Sequence, residues 1–360
     1  MAELLKDGYN RPLLEKLAGL ISRQDSNFKA KNFLAQVFDE TWDSLELKQR
    51  MSHIAKIMGR TIVHPYEQQL KILYPVAEGA NTGFLGMVFP DFVEQFGLEE
   101  WNLSIPALEW FTRFASSEFA VRPFIIKDQP QMMKQMLEWS KNVNYHVRRL
   151  ASEGCRPRLP WAMALPALKK DPTPILPILE NLKDDSEEYV RRSVANNLND
   201  ISKDNPELVI QISREWLGKN EKTDWIVKHA CRSLLKIGNT DVLTLFGFEN
   251  PDKVKIRNPK LKKEKIRIGA ELEFQFDLET TATSLGKIRL EYAIDYVKKN
   301  GKLSTKVFQI SESEIAAKTK SYIRKQSFKD MTTRKHNPGK HHLKIIVNGV
   351  EKWQTPFDVV

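Results

Sequence analysis

The hydrophobic period of this chain changes near residue 265, and no single-layer fold satisfies both parts. In residues 1–250 apolar side chains recur three and four apart, as in Leu13, Leu14, Leu17, Leu20 and Ile21 and again in Phe33, Leu34, Val37 and Phe38. That spacing gives a helix one buried face. Turn signals at Asn10-Arg-Pro, His64-Pro and Asn81-Thr-Gly punctuate these helices, and no alternating run interrupts them. From residue 266 the spacing is two: Leu272, Phe274, Phe276 and Leu278, then Ile288, Leu290, Tyr292, Ile294 and Tyr296, later Leu343, Ile345 and Val347. Lys299-Asn-Gly-Lys, Asn337-Pro-Gly and Asn348-Gly supply turns between the runs. These 95 residues are predicted to form an Ig-like β-sandwich that lacks any cysteine for an inter-sheet disulfide. The basic stretch 251–265 between the two parts reads as a linker.

An internal repeat begins near residue 144. Tyr145-His-Val-Arg-Arg-Leu-Ala, Tyr189-Val-Arg-Arg-Ser-Val-Ala and Trp225-Ile-Val-Lys-His-Ala share an apolar–basic–basic–small pattern, with Val147, Val190 and Val227 lying 43 and 37 residues apart. Leu165–Leu182 and Pro206–Leu217 supply partner helices. The period is that of two-helix HEAT-type units. The expected fold is therefore multidomain: an all-α HEAT-like solenoid over 1–250, the linker 251–265 and a small all-β Ig-like sandwich over 266–360.

The net charge of +10 is unevenly spread. Residues 251–360 carry 24 Lys/Arg against 13 Asp/Glu, whereas the preceding 250 are nearly balanced. A basic tail suits an acidic partner such as nucleic acid, although lysine-rich surfaces also serve solubility. Cys155 and Cys231 are the only cysteines, too few for a disulfide framework or a four-cysteine zinc site. The seven histidines show no metal-ligand spacing, and His341-His342 would point to opposite faces of a strand. No metal is expected. With no spanning apolar run and no signal peptide at the start, the expected location is cytoplasmic.

Residues 147–161 concentrate the chemistry. Arg148, Arg149, Arg156 and Arg158 surround Glu153 and Trp161. Arginines grip phosphates, an acid stabilises a developing cation, and an indole face packs on a sugar or base. Glu153 ends the helix that starts near Tyr145, with Gly154 as a natural residue just past it. A carboxylate there faces the negative end of the helix dipole at a cost of about 0.3–1 kcal/mol. Either a site or a salt bridge to Arg148, Arg149 or Arg156 explains it equally well. Asp200 closes Val194-Ala-Asn-Asn-Leu-Asn-Asp, a run poor in helix formers. In repeat register Asn196 aligns with Glu153. Glu118, after Ser116-Ser117, has the plainer reading of a first-turn acid. Trp161, after Pro160, is expected to open the next helix from an exposed loop.

Ser116-Ser-Glu-Phe-Ala-Val-Arg-Pro-Phe124, Val147–Trp161 and Val190-Arg-Arg-Ser-Val-Ala-Asn-Asn-Leu-Asn-Asp-Ile-Ser-Lys203 resemble the bacterial DNA alkylation repair glycosylases of the HEAT-like superfamily. The similarity covers residues 1 to about 250 and points to the AlkC branch, one subgroup of which carries a C-terminal Ig-like domain. The resemblance implies a monofunctional N-glycosylase that removes 3-methyladenine and 3-methylcytosine from DNA and initiates base excision repair. It implies Glu118, Glu153, Trp161 and Asp200 as the active-site set, with no metal or organic cofactor, and a lesion reached by bending the DNA rather than through a deep base pocket. The expected partner is double-stranded DNA carrying alkylated bases, bound by a monomer. Arg148, Arg149, Arg156 and Arg158 would hold phosphates beside the lesion, and the basic sandwich on its flexible arm would close on the far side of the duplex. Two other readings are a non-catalytic HEAT-repeat protein that binds distorted DNA and a HEAT scaffold for protein partners.

Overall fold

The computed structural model describes residues 4–80, 83–331 and 335–360. The turn expected at Asn81-Thr82 lies outside the described residues. The chain forms two compact units, one made of Met1–Val209 with Trp216–Ala230 and the other of Ile210–Glu215 with Cys231–Val360.

The first unit is helical. Its helix Arg11–Gln24 buries Leu14, Leu17, Ala18 and Ile21, the face that the spacing marks out, and Asn10 caps its start by accepting from Leu13 N at 3.1 Å. Among the described residues no strand precedes Val254. The three repeat-aligned segments are the helices Tyr145–Glu153, Glu188–Ile201 and Glu221–Ala230. They pack in that order, with Val147, Val190 and Val227 fully buried between them. A valine at the same place in each unit is what such side-by-side packing requires.

The second unit holds the strands β1 (Val254–Leu261), β2 (Lys265–Ile266), β3 (Glu271–Thr280), β4 (Gly286–Val297), β5 (Leu303–Ile315), β6 (Thr319–Ser327), β7 (Gly339–Val347) and β8 (Val350–Val359). They form a three-stranded sheet, β1-β3-β6, and a five-stranded sheet, β2-β8-β7-β4-β5. All pairings are antiparallel except β2 with β8. Leu272, Phe274, Phe276, Leu278, Ile288, Leu290, Ile294, Leu343, Ile345 and Val347 make the shared core. Each such burial contributes about 1.5–3 kcal/mol. The β7–β8 hairpin turns through Asn348 (φ 48°) and Gly349 (φ 77°), the paired left-handed residues of a type I′ turn.

Two boundaries differ from the sequence reading. Residues 251–265 are not a linker, because Val254–Leu261 pairs with β3 over a bulge between Arg257 and Lys260. Lysines on an edge strand are an ordinary guard against edge-to-edge pairing, and here they disguised a strand. The boundary between the two compact units also falls before residue 250, because residues 231–249 go with the strands although their helices run up to Leu245. Gly238 and Gly349 meet backbone to backbone, with a Cβ on Gly349 placed 2.0 Å from Gly238 Cα. Asn348 Nδ2 donates to Glu249 O at 2.6 Å, and Lys287 Nζ to Phe246 O at 2.7 Å. These contacts tie 231–250 to the sandwich.

Candidate active site

Glu153 is the last residue of the helix Tyr145–Glu153 and only 6% exposed. Two arginines and a serine offset its poor position against the helix dipole. Arg156 Nη1 donates to its Oε1 at 2.6 Å, Arg149 Nη2 stands 3.4 Å from the same oxygen, and Ser193 Oγ donates to Oε2 at 2.6 Å. Arg156 also reaches Asp200: its Nε donates to Oδ2 at 2.9 Å and its Nη2 lies 2.8 Å from that oxygen. Lys203 Nζ holds the other oxygen of Asp200 at 3.0 Å. Arg149 donates to Glu118 Oε2, which also accepts from Ser116 Oγ at 2.6 Å. The three predicted carboxylates thus stand in one line, Glu118–Arg149–Glu153–Arg156–Asp200, bridged by two nearly buried guanidinium groups. Burial pulls the Arg156 guanidinium down, but Glu153 and Asp200 outweigh it and set it above its ordinary value. The bridge therefore stays cationic.

This geometry reassigns the four arginines. Arg149 and Arg156 are occupied by the acids, Arg148 forms a two-pronged pair with Asp185 (2.6 and 2.9 Å), and Arg158 does the same with Asp204 (2.9 and 2.6 Å). The salt-bridge reading of Glu153 holds, with two of its three named candidates. The arginines expected at phosphates are each paired with a carboxylate here, and around the buried Glu153 and Asp200 that pairing offsets the cost of burying an acid.

Gly154 also differs from expectation. Its φ of −63° is right-handed, so it is no left-handed helix stop. It is small because a Cβ there would lie 2.6 Å from Val121 Cγ2. That close approach lets Arg122, fully buried, donate to the carbonyls of Gly154 (3.0 Å), Arg156 (2.9 Å) and Met163 (2.7 Å). Burial lowers this guanidinium to about 10. Arg122 thereby clamps the whole loop between Glu153 and the next helix, a role that sequence reasoning missed.

Trp161 does not open a helix; the next one starts at Pro166. It sits in that loop at φ 62°, 62% exposed. A non-glycine residue in this region is strained, and such strain persists where neighbours over-determine it. Here Lys48 Nζ donates to its carbonyl at 2.7 Å and its ring meets Phe84 edge-on at 6.4 Å. Phe84, with Met87, Thr112, Phe114, Ser116, Glu118, His146, Arg149 and Tyr189, lines an open cleft of about 310 Å³. Trp161 is therefore beside the cleft that Glu118 enters, but outside the line of acids.

Ser193, Asn197 and Asp200 lie on one stripe of the helix Glu188–Ile201, and Asn197 Nδ2 donates to Ser152 O at 2.8 Å. Asn196, aligned with Glu153 by repeat register, is turned away and lies 3.2 Å from His229 Nε2 through its Oδ1. The spacing of 193, 197 and 200 was the signal that could have found Ser193. Among the described residues no group of three or more His, Cys, Asp or Glu is placed to hold a metal.

A helical unit whose packed helices bring an arginine-bridged row of acids beside an open cleft, followed by an Ig-like sandwich, defines the class. A model of DNA alkylation repair enzymes matches residues 97–234, and one of the C-terminal Ig-like domain of the uncharacterised protein YhaZ matches residues 255–360. The chain is 48% identical over 356 residues to the uncharacterized protein YhaZ of Bacillus subtilis (strain 168), covering 99% of each chain. Its structure matches that of the Pseudomonas fluorescens alkylpurine DNA glycosylase AlkC, bound to DNA containing an abasic site analog, with a TM-score of 0.94 and 39% identity over 99% of this chain and 100% of that one. The chain belongs to the DNA alkylation repair enzyme family, in its AlkC branch.

Proposed function

We propose that this protein is a monofunctional DNA N-glycosylase that excises cationic N3-methylated bases, 3-methyladenine and 3-methylcytosine, from double-stranded DNA to begin base excision repair. The observation that carries the reading is the pair Glu153 and Asp200, held on one buried guanidinium with Arg156 donors 2.6 and 2.9 Å away. A base methylated at N3 carries its own positive charge and leaves neutral, so departure needs little proton donation. Positive charge develops on the deoxyribose instead, as in other glycosidic cleavages. Carboxylates fixed before the reaction favour that charge without reorganising, and one of them orients or deprotonates the attacking water. Glu118 faces the base side from the cleft. Trp161, exposed on its clamped loop, offers an indole face to the base or sugar, worth about 0.5–2 kcal/mol against a cation. The basic sandwich supplies phosphate contacts. The protein acts in this reading as a cytoplasmic, nucleoid-associated monomer with no metal or organic cofactor.

Release of 3-methyladenine from alkylated duplex DNA by the wild type, Glu153→Gln and Asp200→Asn tests this. Each substitution should cut single-turnover release by at least tenfold, in line with loss of about 1.4 kcal/mol or more of transition-state stabilisation. Wild-type rates in both variants would remove these acids from the mechanism.

A further inference from the structure

The cleft beside Glu153 and Asp200 has features besides Glu118 that cleavage itself does not use. Its volume of about 310 Å³ falls at the lower end of sites that take small molecules. Two of its walls are aromatic side chains left half-exposed, Phe84 at 40% and Tyr189 at 45%, and Phe114 and Met87 add apolar surface. Planar apolar walls beside a few fixed polar groups suit a flat heterocycle. The polar groups are also arranged for one. Both bonds to Glu118, from Ser116 and Arg149, fall on Oε2, so among the described residues Oε1 is left to accept from a ligand N–H. Arg149 presents its guanidinium 4.9 Å from the centre of the Tyr189 ring, which fixes that ring as a wall. Thr112, Ala115 and His146 also line it. Glu118 and Glu153 share Arg149, so the cleft opens one arginine's breadth from the acids assigned to the glycosidic bond.

We infer that this cleft is a product site that receives the excised base as a free N-methylpurine, stacked against Phe84 and Tyr189 with an N–H donated to Glu118 Oε1. The inference rests on the glycosylase reading. An excised base must move away from the acids, and this cleft opens beside them. Occupancy after cleavage makes the free base an inhibitor and places a purine preference in the protein, separate from recognition of the DNA.

Calorimetric titration of the full chain with free 3-methyladenine, with and without duplex DNA carrying an abasic-site analogue, tests it, with cytosine as the pyrimidine control. Saturable binding of 3-methyladenine, at least tenfold tighter than cytosine, is expected. Ala115→Phe, which adds a ring at a half-buried residue of the lining, should weaken that binding at least tenfold and abolish inhibition by added base. Phe84→Ala removes one wall and should weaken binding at least fivefold, and it decides the matter if Ala115→Phe fails to fold. Base release from DNA with no saturable binding of the free base would overturn the product site and leave the glycosylase reading intact. Binding of the free base by a protein that releases none from DNA would overturn the glycosylase reading and leave a purine site. Equal binding of purine and pyrimidine, or binding unchanged in both variants, would place the ligand elsewhere.

Discussion

Replacing Arg156 by glutamine removes the cation that Glu153 and Asp200 share, and the structure sets the size of the effect. Arg156 is 6% exposed and donates to Glu153 at 2.6 Å and to Asp200 at 2.9 Å, with a second nitrogen 2.8 Å from Asp200. Taking one partner out of a buried ionic group costs about 3–5 kcal/mol, since uncompensated charge is left behind. Neither acid is stranded completely: Ser193 still donates to Glu153 at 2.6 Å and Lys203 to Asp200 at 3.0 Å. The lower end, about 3 kcal/mol, is therefore expected. At about 2–4 °C per kcal/mol for a unit of this size, Tm should fall by roughly 6–12 °C. Urea unfolding read through tryptophan fluorescence measures it. Adding Asp200→Asn removes one of the two carboxylates that lost this cation, so the double variant should be more stable than Arg156→Gln alone by about 1 kcal/mol or more. A loss under about 1 kcal/mol from Arg156→Gln, or strictly additive losses in the double variant, would refute the shared-cation argument.

Gly154→Ala should destabilise by about 1–3 kcal/mol through its clash with Val121, and Val121→Ala should recover part of that in a denaturant titration, whereas helix propensity alone would make alanine stabilising. Arg158→Met should cost under about 1 kcal/mol, since its pair with Asp204 is exposed. Because Arg158 is occupied by Asp204, the salt slope of DNA binding should stay unchanged, where a phosphate-gripping arginine would take about 1 from it. Glu94 is raised to about 7 by burial and by nearby Asp91, so the folded state binds its proton more tightly than the unfolded chain. A raised carboxyl penalises folding increasingly as pH climbs from the unfolded value towards 7. Glu94→Gln should therefore stabilise the protein at pH 8 by up to about 2–3 kcal/mol and much less at pH 5, as read by Tm at the two pH values.

Much of the fold was legible because its signals are local. Alternation at Leu272, Phe274, Phe276 and Leu278 put those side chains on one face of β3, and Asn348-Gly349 specified a hairpin turn. The repeat register found the three packed helices through Val147, Val190 and Val227. The register then failed at Asn196, because 3.6 residues per turn put Ser193, Asn197 and Asp200, not Asn196, against the neighbouring helix. The edge strand Val254–Leu261 was hidden because an edge tolerates lysines that a central strand would reject.

By itself the sequence determined the two kinds of secondary structure, the repeat, and Glu118, Glu153 and Asp200 as acids worth watching. Period and composition are properties of neighbouring residues, and they survive without a fold. Tertiary structure decided which charge meets which. Arg156 and Asp200 are 44 residues apart, Arg149 and Glu118 are 31 apart, and each pairing exists only because packing sets a loop or turn residue against a side chain of a helix. Four arginines that looked like phosphate grips became the partners of buried or nearby acids once the packing left those acids no closer cation. The same packing turned Gly154 from a helix stop into a contact point and gave Arg122 the loop that carries Trp161.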